Sequence, residues 1–184
     1  MLVSDVVALA AHNLGRDDLI PAIQSADKNT PDELAGLLRA YNLVESEIAL
    51  DYFPVSETVT MIPSAQTIRY ENFPCRYLEL VSITRGGVPV RYELKSSYIY
   101  LPDNPQGPLD IEYCYEPEAK FLPGDCEFKK GISARLMSFG VACEYCLSQG
   151  KYNEAAVWEE KFRDALRAAG LLRRTLAMRS RRWA

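Results

Sequence analysis

The segment 132–166, ISARLMSFGVACEYCLSQGKYNEAAVWEEKFRDAL, decides the fold, and the rest of the chain is arranged around it. Apolar residues recur in it at intervals of three and four, the spacing that places side chains on one side of an α-helix. The pattern predicts two helices joined by a turn at Gly150, because glycine accepts the left-handed backbone that ends a helix. One predicted stripe contains Ile132, Leu136, Phe139, Cys143 and Cys146 or Leu147, and the other contains Ala155, Trp158, Phe162, Leu166 and Ala169. Such a hairpin must pack against other parts of the chain.

The chain that follows the hairpin, LLRRTLAMRSRRWA at 171–184, is rich in arginine and shows no core pattern. Residues 163–184 hold seven arginines and one acid, a net charge of +6, whereas the other 162 residues hold 14 bases and 24 acids, a net charge of −10. A basic arm on an acidic body predicts contact with an anionic partner or with the acidic body of a neighbouring copy. A solvated, disordered end is the alternative.

Three properties of this arm favour docking over disorder. It keeps several apolar residues, it contains no lysine, and it carries Trp183, which is costly to leave in water. Arginine and tryptophan are the residues that anchor protein interfaces. Docking onto another protein is therefore the favoured role of the arm, and direct contact with nucleic acid is the second choice. An acidic body would repel DNA everywhere except at the arm, so the chain is not expected to wrap a duplex.

The N-terminal third is predicted to be helical. Residues Leu2 to Leu14 form one helix that Gly15 ends, and a short helix follows from Asp17 or Asp18. The sequence Thr30-Pro31-Asp32-Glu33 predicts a capping box at the start of a longer helix that stops near residue 51. The apolar side of that helix contains Leu34, Leu37, Tyr41, Val44 and Ile48.

From residue 52 the pattern changes to the alternation of β-strands. The clearest strand runs from Leu109 to Tyr115, and Gly86-Gly87 predicts a two-residue hairpin turn. Further strands are predicted around 59–61, 68–70, 77–84 and 98–101. Short strands at this spacing predict a small antiparallel sandwich or barrel. The β-region tyrosines fit either its core, which we favour, or a stacking surface for carbohydrate or bases: Tyr92, Tyr98, Tyr100, Tyr113 and Tyr115.

The order of elements, helices then strands then helices, predicts an α+β chain. The expected arrangement is a helical bundle, made from N-terminal helices at 1–51 and a helical hairpin at 127–170, with an antiparallel β module inserted at 52–120. The basic C-terminal arm occupies 171–184.

No residues in the sequence form a convincing catalytic, cofactor or metal site. The C-x-x-C motif of Cys143 and Cys146 falls within a predicted helix and lacks the further ligands that zinc needs, so we expect buried thiols rather than a redox pair. His12, the only histidine, is expected at the surface. We therefore predict that the protein is not an enzyme and takes no cofactor.

Composition indicates an ordinary globular chain. Its hydrophobic share is 48% and its charged share 25%, no apolar run is long enough to cross a bilayer, and the N-terminus does not resemble a signal peptide. The chain has five cysteines, an odd number, and their spacing resembles no disulfide framework of secreted proteins. We therefore expect them to be reduced thiols. We expect synthesis in the cytosol.

The chain resembles the head-to-tail adaptors, or connectors, of tailed bacteriophages, in particular the tail tubular protein A type and related prophage neck proteins. The resemblance covers nearly the whole chain and rests on the order and style of its elements. The matching segments are NLGRDDLI at 13–20, LAGLLRAYNLVESEIALDYFP at 34–54, LELVSITRGGVPVRYELKSSYIYLP at 78–102, LDIEYCYEP at 109–117, the hairpin at 132–166 and RSRRW at 179–183.

This resemblance implies a structural virion protein, made in the host cytoplasm and located in the neck of the particle. It implies a ring, usually of twelve copies, beneath the portal protein, with an axial channel through which DNA passes without specific binding. The tail or nozzle protein would lie below. The portal-docking residues would be Arg173, Arg174, Arg179, Arg181, Arg182 and Trp183. The alternative function is a nucleic-acid-binding module that uses the arginine-rich tail.

Overall fold

The chain has an α+β fold, as the sequence predicts. A computed structural model describes residues 1–25, 31–63 and 66–172. These residues form two compact units: a helical unit that comprises Met1–Glu47 and the chain from Lys120 onward, and a β unit that comprises Ile48–Ala119. Both sheets in the β unit are antiparallel.

The helical unit is organised around one central helix. Its helices are α1 (Val3–Asn13), α2 (Ile20–Ser25), α3 (Asp32–Glu47), α4 (Ala134–Ser148) and α5 (Tyr152–Ala168), and a 3-10 turn at Asp17–Leu19 precedes α2. Helix α4 packs against α1, α3 and α5. The sequence predicts one apolar stripe on α4, but the structure buries it on nearly every side, because three helices surround it: Leu136, Met137, Ser138, Gly140, Val141, Ala142, Cys143, Tyr145 and Cys146 are all buried.

The central helix approaches its neighbours closely at Gly140. A Cβ atom at this position would lie 2.8 Å from Val44 Cγ1 on α3 and 3.1 Å from Phe162 Cε2 on α5. Real Cβ contacts are almost never that short, so a glycine lets α3 and α5 reach α4 here. The predicted turn after α4 is confirmed, since Gly150 has a φ of 72° and its amide binds the carbonyl of Leu147.

One further prediction for the hairpin is wrong: the sequence places Ala169 on the apolar side of α5, but Ala169 is exposed, because α5 ends at Ala168. Of the two alternatives at the end of the α4 stripe, Cys146 is the correct one, since it is buried whereas Leu147 is exposed. Of the other α5 positions, Ala155, Phe162 and Leu166 are buried as predicted, and Trp158 is half-buried.

The predicted stripe of α3 is confirmed, because all five of its residues are buried. The helix itself ends at Glu47 and is followed in sequence by a π-helical turn, Ile48–Tyr52, in which the Phe53 amide binds the Ile48 carbonyl at 2.7 Å. Thr30, the predicted N-cap, lies outside the described residues. The acid of the predicted capping box, Glu33, pairs with the guanidinium of Arg16.

The described residues of the β unit form seven strands in two antiparallel sheets. They are β1 (Ser56–Met61), β2 (Thr67–Arg69), β3 (Arg76–Arg85), β4 (Val88–Pro89), β5 (Glu93–Leu94), β6 (Tyr98–Tyr100) and β7 (Leu109–Glu116). One sheet has the order β1-β7-β3-β4, and the other has the order β2-β6-β5. Strand β5 was not predicted, because two residues are too few to show an alternation.

Strand β7 confirms the alternation on which the β prediction depends. Leu109, Ile111, Tyr113 and Tyr115 are buried, and the residues between them are half-buried. They share one core with residues of the second sheet, including Ile68 and Ile99. The hairpin at Gly86-Gly87 is also confirmed, since Arg85 pairs with Val88 across it.

Candidate functional site

The predicted docking residues of the arm cannot be placed in the fold. Arg173, Arg174, Arg179, Arg181, Arg182 and Trp183 all lie outside the described residues. Their role in docking therefore stays a prediction. The structure does describe the point from which this segment leaves the helical unit, because Leu171 and Leu172 are included and are half-buried.

Helix α5 has a closed C-terminal end at this point. The amide of Gly170 binds the Arg167 carbonyl, and the amide of Leu171 binds the Leu166 carbonyl, each at 3.0 Å. This pair of bonds is the Schellman motif, which requires a left-handed residue, and Gly170 has a φ of 73°. The backbone direction changes at Gly170, so Leu171 and Leu172 do not continue α5.

The thiols of the C-x-x-C motif are buried between helices. Cys143 and Cys146 lie in the interface of α4 with α5, beside Ala155. Burial raises the pKa of Cys143 to about 11, and burial also raises the pKa of Cys146. A reactive cysteine needs the opposite, a lowered pKa and exposure to solvent. The geometry therefore favours the packing role over a redox pair.

His12 lies at the surface, as predicted. Its Nδ1 atom is 2.8 Å from Asp17 Oδ1, and both side chains are mostly exposed. The neighbouring Arg16 forms hydrogen bonds with Asp18 and Glu33, and these bonds hold the pKa of both carboxyl groups below their usual values. These contacts join the turn after α1 to the first turn of α3, which explains them without a catalytic role.

A buried polar cluster that the sequence did not predict lies between α3 and the chain that follows the β unit. Glu45 is 1% exposed, and its Oε1 atom accepts hydrogen bonds from the Tyr41 hydroxyl at 2.9 Å and the Glu127 amide at 2.8 Å. Its Oε2 atom is the one buried side-chain oxygen or nitrogen of the described residues that lacks a partner. Burial raises the pKa of Tyr41 well above its usual value and raises that of Cys126 to about 11.

This cluster holds a segment of main chain in place. Asn42, one turn before Glu45 on α3, binds both backbone groups of Lys120: its Oδ1 accepts from the amide at 2.7 Å, and its Nδ2 donates to the carbonyl at 3.2 Å. The N-terminus holds the other side, where Val3 donates to the Gly124 carbonyl at 2.9 Å. We call residues 120–127 the latched segment.

A groove opens beside the last turns of α5. Its volume is about 910 Å³, and it lies over α4 with α1 on one side and α5 on the other. Apolar and small residues line much of it, including Leu9, Leu136, Phe139, Ala165 and Ala168. Clefts of this size with mainly apolar walls are typical binding sites.

The charged side chains at the groove are mainly cations. Arg135 lies over the Phe139 ring at 5.5 Å, and Lys161 lies over the Trp158 ring at 4.0 Å. Among the described residues, no carboxylate lies within 4.0 Å of either cation. The one acid in the groove lining, Asp164, is already paired with Arg167 at 2.6 Å. The groove is thus a cationic site on an otherwise acidic body.

The outer face of the four-stranded sheet has the opposite charge. Asp110, Glu112 and Glu116 alternate along β7 with the buried residues, and hydroxyl side chains flank them. Thr60 donates to Asp110 at 2.7 Å, and Arg76 pairs with Glu116 at 2.6 Å. Hydrogen bonding within the sheet satisfies much of this face, so it resembles a solvated surface more than a binding site.

The described residues contain no candidate metal site. No group of three or more histidine, cysteine or acidic side chains among them could hold a metal ion, and no described helix is long and apolar enough to span a membrane. Comparison with protein-family models and with curated proteins found no match.

Proposed function

We propose that this protein is a structural virion component, a head-to-tail adaptor that forms a ring beneath the portal of a tailed bacteriophage. In this proposal the helices form a bundle, the two sheets form an inserted sandwich or barrel module, and the arm at 171–184 docks on the portal. The tail or nozzle protein lies below the ring, and DNA crosses the axial channel without specific binding. No residue has a catalytic role, and the protein resides in the neck of the particle after synthesis in the host cytoplasm.

The observation that carries this proposal is the separation of charge along the chain. Residues 173–184 hold five arginines and no acid, whereas residues 1–172 hold 16 basic and 25 acidic residues, a net charge of −9. An acidic body repels the phosphates of DNA, which suits a channel wall past which DNA must slide. The basic arm starts where the Schellman motif ends α5, which suits a strap that reaches away from the helical unit.

Because a ring carries many arms, a weak contact between each arm and the portal is enough to hold the ring in place. Each arm in a ring is presented to the portal together with the arms of the other copies, so the contacts act as one multivalent interaction. A single arm can then bind weakly while the whole ring stays attached. Arginine supplies planar, bidentate contacts with carboxylates, and Trp183 supplies an apolar anchor of the kind found at interface centres.

Truncation after Ala169 tests the proposal directly. Purified portal rings of the same virus should bind the full chain and should lose binding to the truncated chain, as measured by co-sedimentation. Replacement of Arg85 and Arg91, two exposed arginines of the β unit, by glutamine is the matched control and should leave binding intact. Equal binding of the truncated and full chains would remove the proposal.

The same variants test the alternative, a nucleic-acid-binding module that uses the arginine-rich arm. That function predicts duplex affinity that falls steeply with salt, because each neutralised phosphate releases counterions. It also predicts that truncation after Ala169 abolishes this affinity. The absence of measurable binding to DNA at low salt would eliminate this alternative and leave the adaptor proposal in place.

A further inference from the structure

Helix α5 presents two different surfaces on opposite sides of its buried face. At about 100° per residue, Lys161, Ala165 and Ala168 fall on the side that lines the groove. The other flank carries Tyr152, Ala156 and Glu160, each four residues from the next, which we call the ridge. Arg163 and Arg167 continue this flank, and each is paired within α5, with Glu159 and Asp164 respectively. The buried residues of α5, Ala155, Phe162 and Leu166, belong to neither surface.

The ridge has the composition of an interface. Tyr152 is 71% exposed, and exposed tyrosine is enriched where proteins associate, since it combines a large apolar area with a polar end. Glu160 carries an exposed carboxylate that pairs with no cation among the described residues. The ridge therefore offers an aromatic ring, a small residue and an acid on one helical face.

The groove offers the complementary features. Ala165 and Ala168 leave room for an incoming helix, Leu136 and Phe139 provide an apolar floor, and Leu9, which is 41% exposed, adds an apolar side chain from α1. Arg135 and Lys161 supply cations without carboxylate partners. Helices that dock in grooves use this combination of apolar burial and flanking charge.

The geometry points to a second copy of this chain as the occupant: the ridge of one copy docks in the groove of the next. Charge decides between this occupant and the arm at 173–184, because five arginines would meet Arg135 and Lys161 and be repelled. A second copy would instead place the unpaired carboxylate of Glu160 beside these two cations, and the arginines that continue the ridge are already paired with acids of α5.

Because groove and ridge are different surfaces, the contact is heterologous, and a heterologous contact forms a ring when its repeated rotation closes. This inference rests on the proposed adaptor function, for which it supplies the lateral contact between subunits.

The test uses two variants that each lose one surface. Ala168→Glu places a bulky acid in the groove, and the double variant Tyr152→Lys, Glu160→Lys places cations on the ridge. Both changes are at exposed positions, so neither should disturb folding. Leu43→Lys, at an exposed apolar residue on α3, is the matched control and should associate as the unmodified chain does.

Sedimentation velocity over a range of concentrations gives the readout. The full chain, and the chain ending at Leu172, should both form assemblies larger than dimers. Each variant alone should associate at least about tenfold more weakly, the loss expected for an interface hot spot. An equimolar mixture of the two variants should form heterodimers that do not grow, because one intact groove meets one intact ridge and no surface remains for a third copy.

Three results would overturn the inference: a full chain that stays monomeric at every concentration, variants that associate like the full chain, or a mixture that remains monomeric although both variants are folded by circular dichroism. The proposed function can fail separately. A chain truncated after Ala169 that keeps both its self-association and its portal binding contradicts the arm proposal and leaves the groove contact standing.

Discussion

At the scale of single residues, Glu45 is the side chain whose loss we expect to destabilise the helical unit. Its carboxylate is buried on α3 and binds a side-chain hydroxyl and a main-chain amide from different parts of the helical unit. The apolar periodicity of α3 does not reveal this role, because Glu45 lies next to the stripe and not in it. The signal that could have identified it is its position in the last turn of α3, four residues after Tyr41 and beside Val44, where an acid borders the buried face.

Replacing Glu45 by alanine should lower the free energy of unfolding by about 2–4 kcal/mol, because it leaves the Tyr41 hydroxyl and the Glu127 amide buried without a partner and creates a small cavity. Glu45→Gln, which keeps an acceptor oxygen and the shape of the side chain, should cost less, about 1 kcal/mol. Urea denaturation measures both changes.

The matched control for this change is Glu118→Ala, which makes the same substitution at an exposed position. It should change the free energy of unfolding by less than about 0.5 kcal/mol. If Glu45→Ala and Glu118→Ala had the same small effect, the buried cluster would not stabilise the fold.

At the scale of elements, the central position of α4 explains what the sequence could and could not predict. The strong periodicity of α3, α5 and β7 identifies these elements and their buried faces, because each packs on one side only. The burial of α4 on several sides depends on which helices surround it, and that information resides in other parts of the chain. Residues such as Met137 and Val141 fall outside the predicted stripe and yet are fully buried.

The candidate functional site likewise combines features that the local sequence predicts with features that depend on the fold. The cationic groove could not be predicted, because it combines Leu9 of α1, Phe139 of α4 and Ala168 of α5, which are far apart in sequence. The surface position of His12 and the buried thiols of Cys143 and Cys146 follow from local pattern alone, and the structure agrees. The arm was identified by composition, a property that says where charge accumulates but not what it contacts.

Gly140→Ala tests how tightly α4 is enclosed. Alanine is the better helix former by about 1 kcal/mol, so an open site would gain stability. Here the new methyl group would meet Val44 and Phe162, and overpacking of this kind costs about 1–3 kcal/mol. We expect a net loss of stability in thermal or urea denaturation.

Gly36→Ala in α3 is the comparison for this variant. Its methyl group would lie 3.2 Å from Cε2 of the Tyr145 ring, a longer separation than at Gly140. The loss at Gly36 should therefore be the smaller of the two. A stabilised Gly140→Ala protein would contradict the close packing of α3, α4 and α5.

At the scale of the whole molecule, the chain consists of two units with separate apolar interiors. The β unit has a core of residues from both sheets, and the helical unit has its own around α4. Because the helical unit contains the first and last parts of the chain, it forms only after the β unit has been synthesised. Two cores in one chain need not unfold together.

Hydrogen exchange measured by mass spectrometry should show this independence. Ile111→Ala removes a fully buried side chain of the β unit, and Met137→Ala does the same in the helical unit. Each should cost about 2–5 kcal/mol and reduce amide protection in its own unit, while the other unit keeps its protection. Equal loss of protection in both units for either variant would show that they unfold as one.

The latched segment has a consequence for how freely this part of the sequence can vary. Asn42 and Glu45 hold it through peptide groups at Lys120 and Glu127, and peptide groups are the same whatever side chain a residue carries. The main constraints on identity are Gly124, where a Cβ atom would lie 2.5 Å from the Phe121 carbonyl oxygen, and Cys126, whose side chain is buried. Related chains could therefore change most of the other residues between 120 and 127 and keep the same path, so a sequence alignment would score this stretch as unrelated while the hydrogen bonds from Asn42 and Glu45 persisted.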